Sequence, residues 1–186
     1  MKVLVACEYS GRVRDAFTAL GHDATSVDLL PSETEGKHIH GDVLEVIKSE
    51  NFDLMLAHPP CTDLAVSGSR WFPEKRKDGR QQRALEFVQR LLDAPNIEKI
   101  ALENPVSIIS SHIRKPDQYI QPYEFGHGET KKTGLWLKNL PLLTPTNIVD
   151  GREPRIHMMA PSEDRWKDRS RTYEGIAKAM AEQWGE

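Results

Sequence analysis

Short apolar runs that repeatedly stop on a polar turn, with helical-period segments between them, constrain this chain most. Lys2 to Ala6 (KVLVA), Ala24 to Leu29 (ATSVDL), His38 to Gly41 (HIHG), Phe52 to Ala57 (FDLMLA) and Ile97 to Leu102 (IEKIAL) read as strands by length and side-chain type. Between them, Val13, Ala16, Phe17 and Leu20 fall at helical spacing ahead of Gly21. VLEVIK follows Asp42, and Leu85, Val88 and Leu92 share one face from Gln81 onward. Gly134 to Leu137 (GLWL) predicts a further strand, and Ile176, Ala177, Met180, Ala181 and Trp184 predict a closing helix. Such alternation dictates an α/β fold with a doubly wound, mostly parallel sheet. The 186 residues suit a single compact domain over 1–186, and no repeat or composition break divides them.

Composition removes several classes. With 38% hydrophobic and 28% charged residues the chain is globular rather than disordered. No apolar run approaches a membrane span. The opening MKVLVACEYSGRV turns polar too soon for a secretion signal and reads as a strand. The two cysteines, Cys7 and Cys61, make neither a disulfide framework nor a CxxC metal pair, so a reducing cytoplasm is expected and no metal. A net charge of −3 argues against a generic nucleic-acid coat. It leaves room for local basic grooves at Arg70 to Arg80, with five basic and two acidic residues, and at Arg165 to Arg171.

In a doubly wound sheet, ligands sit beyond the carboxyl ends of the strands. That rule selects Glu8 to Gly11, Asp28, Asp42, His58 to Cys61, and Glu103-Asn104. Gly11 could bring backbone amides close to a ligand, or simply turn the chain into a helix. Asp28 could hold ribose hydroxyls, or be a solvated loop acid. Asp42 fits a helix N-cap. Pro59 and Pro60 stiffen the backbone before Cys61, which suits a nucleophile aimed at one atom. A buried structural thiol is the competing reading. Three residues of extended chain separate His58 from Cys61, a poor geometry for a direct pair. Glu103 at a buried rim can be poised with a raised pKa, able to hand over a proton, or be an exposed strand-end acid. The polar stretch Thr62 to Gly79 reads as a long loop, functional or mobile.

PPC after the fourth strand and ENP after the fifth resemble the two catalytic motifs of the cytosine-C5 DNA methyltransferases, including small phage and prophage members. In that family the Pro-Cys cysteine attacks C6 of cytosine and the Glu-Asn glutamate contacts N3. The resemblance therefore implies Cys61, Glu103 and Asn104 as the catalytic set and a Rossmann-like class I methyltransferase fold. Tyr9-Ser10-Gly11 is similar to the family's cofactor turn, Asp28 to its ribose-binding acid, and Gly41-Asp42-Val43 to its adenine step. By that likeness Glu8, Tyr9, Ser10, Gly11, Asp28, Leu29, Asp42, Val43 and Pro59 would bind S-adenosylmethionine. FGHGETKKTGLWL (125–137) is similar in position to the family's Gln-x-Arg-x-Arg segment, and RTYEGIAKAMAEQ (171–183) to its closing segment. Lys131 and Lys132 stand where arginines are expected, and could touch the base or the thiolate. Pro60, Arg70, Lys75, Arg76, Lys77 and Arg80 would face the substrate, with 62–79 as a lid over DNA phosphates.

The sequence also departs from the family. Arg12, Val13 and Arg14 replace later glycines of the first motif, and about thirty residues after GLWL leave no space for a target-recognition domain. The resemblance implies methyl transfer to C5 of cytosine in DNA, and a base inside a duplex would first have to flip out. Alternatives left open are C5 modification of a free cytosine nucleotide, and a silent nucleic-acid-binding module, either a homodimer or the partner of a separate recognition subunit. Residues 157–166, HMMAPSEDRW, carry no legible chemistry.

Overall fold

A computed structural model describes residues 1–186. Its centre is a seven-stranded sheet ordered β3-β2-β1-β4-β5-β7-β6. The strands are β1 (Lys2–Ala6), β2 (Asp23–Asp28), β3 (His38–His40), β4 (Phe52–Ala57), β5 (Ile97–Pro105), β6 (Gln118–Ile120) and β7 (Thr133–Lys138). β1 through β5 pair in parallel, whereas β7 runs antiparallel to both β5 and β6. The expected α/β architecture is therefore present, in one compact domain with a mostly parallel sheet.

Strand alternation sorts the core into two layers. Val3, Val5, Leu54 and Leu56 face one cluster, while Leu4, Ala6, Met55 and Ala57 face the other. On the first face lie α1 (Arg12–Ala19) and α8 (Glu174–Trp184), which bury Val13, Phe17, Ile176, Met180 and Trp184. Each such large side chain contributes roughly 1.5–3 kcal/mol of burial. On the second face lie α2 (Val43–Ser49) and α4 (Arg80–Leu92), which bury Val46, Ile47, Leu85, Val88 and Leu91. Asp42 is the N-cap of α2, its side chain accepting from the Leu44 amide.

Several expectations need correction. Residues 62–79 are not a plain loop: a 3-10 segment (Val66–Trp71) leads into α3 (Phe72–Lys77). Pro73 in the first turn and Lys75, Arg76 and Lys77 in the last turn favour that helix. β5 continues three residues beyond Leu102, so Glu103 and Asn104 are strand residues held by β7 rather than a turn. β6, α5 (Ile109–His112), α6 (Arg155–Met158) and α7 (Arg165–Ser170) have no periodic signal in the sequence. No helix is long and apolar enough to cross a membrane.

Candidate active site

The chain runs outward from β1 to β3 on one side and then from β4 to β5 on the other. The sheet thus reverses direction between β1 and β4, and a crevice opens at their carboxyl ends. Cys7 makes the first turn there with φ 61, a left-handed conformation that a side-chain-bearing residue rarely adopts. Its amide and that of Glu8 both donate to the Val27 carbonyl, at 2.8 and 3.2 Å. Bonds from two successive amides hold this turn against its strain.

Two cavities lie along the crevice. The first, about 340 Å³, is lined by Cys61, Glu103, Asn104, His58, Lys131 and Lys132, among others. The second, about 460 Å³, is lined by Asp28, Leu29, Asp42, Val43, Arg80 and Phe87, with further apolar residues. Cys7 and Pro60 line both, so the cavities adjoin. Cys61 and Glu103, separated by a strand and its crossover in the chain, thus share one pocket.

The two motif segments are fastened to each other. Asn104 Nδ2 donates to the Pro59 carbonyl at 3.0 Å, tying the end of β5 to the backbone before Cys61. His58 Nδ1 and Glu103 Oε2 lie 2.9 Å apart, with side chains only 8% and 18% exposed. His58 pairs with Glu103, not Cys61. Burial alone would lower the imidazole, but the Glu103 contact, supported by Glu8, outweighs it and the net shift is upward. Burial alone would raise the Glu103 carboxyl, but the His58 hydrogen bond and charge, with Lys131, shift it downward. The shift of Glu103 is therefore opposite to the expected rise, because the hydrogen bond and charge of His58, with Lys131, outweigh the burial.

Burial pushes the Cys61 thiol up. Lys131 and Arg169 pull it down while Glu103 adds to the rise, and the net shift is upward. Cys61 rests as a thiol beside two cations that favour its ionised form. Burial, with the charges of Asp28 and Asp42, pushes Cys7 up to about 12, which makes it the inert cysteine of the two.

The remaining sequence-selected residues divide. Tyr9 and Ser10 line the first cavity, as does Pro59. Gly11 lines neither cavity, and Glu8 carboxylate oxygens occupy the α1 amides, accepting from Val13 at 2.9 Å and Arg14 at 3.1 Å. Those amides are satisfied internally, so of the two readings of Gly11 the simple turn of the chain into a helix fits. A Cβ at Gly11 would sit 2.2 Å from Thr34 Oγ1, at φ +78, so the glycine serves the turn itself. Lys75 is also corrected. It is 6% exposed, with Nζ bonded to the Thr62 carbonyl and 3.4 Å from Asp63, because a buried ammonium needs partners. Arg70 lies 4.9 Å over the exposed Trp71 ring, and Arg76 and Lys77 are exposed on α3. Arg80 pairs with Asp78 at 2.7 Å and lines the second cavity rather than the first.

Sequence reasoning missed the cover. Ile156, His157, Arg169, Ser170, Arg171 and Thr172 close one side of the first cavity. Tyr9 Oη donates to the Lys167 carbonyl at 3.0 Å and lies 2.7 Å from Ser170 Oγ. Lys131 Nζ donates to the Arg169 carbonyl at 2.6 Å, and Arg171 forms a two-pronged pair with Glu33 at 2.8 Å. The basic run 165–171 was the only signal for this segment. Lys132 Nζ sits 4.5 Å over the Tyr119 ring at the cavity wall.

In the second cavity Val27, Leu29, Val43, Leu44 and Phe87 supply apolar wall beside Asp42, Asp63, Arg80 and Arg83, and half-buried Asp28 offers a carboxylate that can accept from hydroxyl groups. Burial pushes the Asp28 carboxyl up, opposed by the Leu30 amide that donates to it at 2.9 Å. No cluster of three or more His, Cys, Asp or Glu side chains is placed to hold a metal ion. Comparison of the chain with protein-family models and with curated proteins found no match.

Proposed function

We propose that this protein is a cytosine-C5 methyltransferase that works through a covalent Cys61 adduct and uses S-adenosylmethionine. One observation carries the reading: Cys61 and Glu103, from neighbouring strand ends, line one pocket that adjoins a second, nucleoside-sized cavity. The mostly parallel sheet with its crevice between β1 and β4 is compatible with the Rossmann-like class I methyltransferase fold.

Each residue then has a task. Cys61 Sγ, once ionised, bonds to C6 and makes C5 a nucleophilic carbon. Lys131 and Arg169 favour the thiolate. Glu103, once protonated, would hold N3 while charge builds on the ring, and general acid help of this kind contributes about 10²–10⁴-fold. Asp28, Leu29, Asp42 and Val43 would hold the adenosine of S-adenosylmethionine, which supplies an electrophilic methyl group when bound. Asn104 fixes the distance between the two motif segments through Pro59.

The test is covalent trapping of DNA that contains 5-fluorocytosine, with S-adenosylmethionine present. A denaturant-resistant adduct is expected with the native protein and none with Cys61→Ala. Tritium transfer to duplex DNA, single strands, RNA and free cytosine nucleotides separates the substrate forms. Absence of both adduct and transfer, with every substrate, rejects the reading.

A further inference from the structure

His58 is the buried titratable group that the motif likeness leaves without a task. Its Nδ1 faces Glu103 at 2.9 Å, while its Nε2 is buried and has no hydrogen-bond partner. The residue lines the first cavity, and its side chain is only 8% exposed. With Nε2 unpartnered, the contact between Nδ1 and Glu103 is the one hydrogen-bonded route for a proton between His58 and its surroundings.

We propose that His58 and Glu103 act as one proton-holding pair, with His58 storing the proton that Glu103 delivers to the bound ring. The proposal rests on the methyltransferase reading for the identity of that ring. Charged groups face His58 from each surrounding element: Glu103 on β5, Glu8 in the turn after β1, and Lys131 before β7. The two carboxylates favour the imidazolium and the ammonium opposes it. Loss of the ring contact would leave the pair charged and ready to act again.

The step balances as follows. Cys61 first gives its proton to solvent. The thiolate electron pair forms the Sγ–C6 bond, the C5–C6 π electrons shift into the ring, and N3 takes one proton through Glu103. The pair is left as a carboxylate and a neutral imidazole. When the Sγ–C6 bond breaks, the N3 proton returns to the pair. Without a methyl donor, C5 exchanges its hydrogen with water during the adduct's lifetime. His58 acts through Glu103 and is a positioning residue in this scheme.

Two measurements test it, neither of which needs a methyl donor. The first is release of tritium from [5-³H]cytosine oligonucleotides, followed against pH for the native protein, His58→Asn and His58→Ala. Asn can keep a donor to Glu103 but cannot titrate. At neutral pH the Asn variant is expected to exchange at least about tenfold more slowly, as loss of general acid help predicts, with a displaced pH profile. A His58→Asn profile that superimposes on the native one means the histidine is only structural, and overturns the proposal. The second is NMR titration of the protein alone. The His58 Nε2 and Glu103 carboxyl signals are expected to move together. If the native protein shows no exchange, the methyltransferase reading fails, and the NMR result alone decides the pair: an imidazole neutral at every pH overturns it.

Discussion

Glu103→Gln should weaken the fold in a pH-dependent way that identifies the buried pair. The amide oxygen of Gln can still accept from His58 Nδ1, so shape and hydrogen bond survive while the charge is lost. Removing one partner of a buried ion pair costs about 3–5 kcal/mol when the other charge has no escape. Here it has one, because burial already works against the imidazolium and His58 can shed its proton. The expected cost is therefore that of a charge-assisted hydrogen bond, about 1.5–3 kcal/mol. The sign of the pH dependence follows from the two shifts. Glu103 lies below its usual 4.5, so its contribution is complete above that pH and disappears as pH falls through the depressed value. His58 lies above its usual 6.5, so its contribution is complete below that pH and disappears as pH rises through the raised value. Both are present between 4.5 and 6.5. Urea unfolding of native and variant proteins across pH 4 to 9, with m-values compared, reads this directly. The difference should peak inside the window and shrink on both sides. A difference that is flat, or greatest at the alkaline end, would refute a charged pair.

Two further perturbations probe the walls of the pocket. Lys131→Ala removes the larger of the two cationic influences on Cys61, so alkylation of that thiol by iodoacetamide should slow several-fold, roughly in proportion to its smaller thiolate fraction; an unchanged rate would show that the ammonium does not act on the sulfur. Gly175→Ala would place a Cβ 2.0 Å from the Phe125 carbonyl oxygen, so α8 must move away from its neighbour at a cost of about 1–3 kcal/mol and a Tm lower by several degrees; an unshifted Tm would contradict that close approach.

What the sequence revealed follows the physics that wrote it. β1 and β4 span the same residues as their apolar runs, because strands buried on both faces must be apolar throughout. The rim positions followed from those strand ends, and PPC and ENP could be read because proline leaves a local mark. The cover, 155–172, left only the basic run 165–171. Its helices are short and largely exposed, and they are held by polar contacts with Tyr9, Lys131, Arg12 and Glu33, all far away in the chain. The His58–Glu103 contact joins residues 45 apart, and no periodicity encodes such a pair. The misjudged Glu103 shift has the same origin: the strand predicted burial, but only the neighbouring strand's histidine reverses its effect.

The two kinds of attachment around the pocket differ in what they permit. Cys61 and Glu103 are carried by the ends of β4 and β5, and those ends are joined by Asn104 to Pro59 and by Glu103 to His58. Glu103 lies within β5, and the segment that leads from β4 to Cys61 is tied to that strand by these two contacts. The cover hangs instead on hydroxyl, ammonium and guanidinium groups at the pocket's edge. The proposed reaction, in which a ring must enter, form a bond and leave, would need the cover rather than the strand ends to give way.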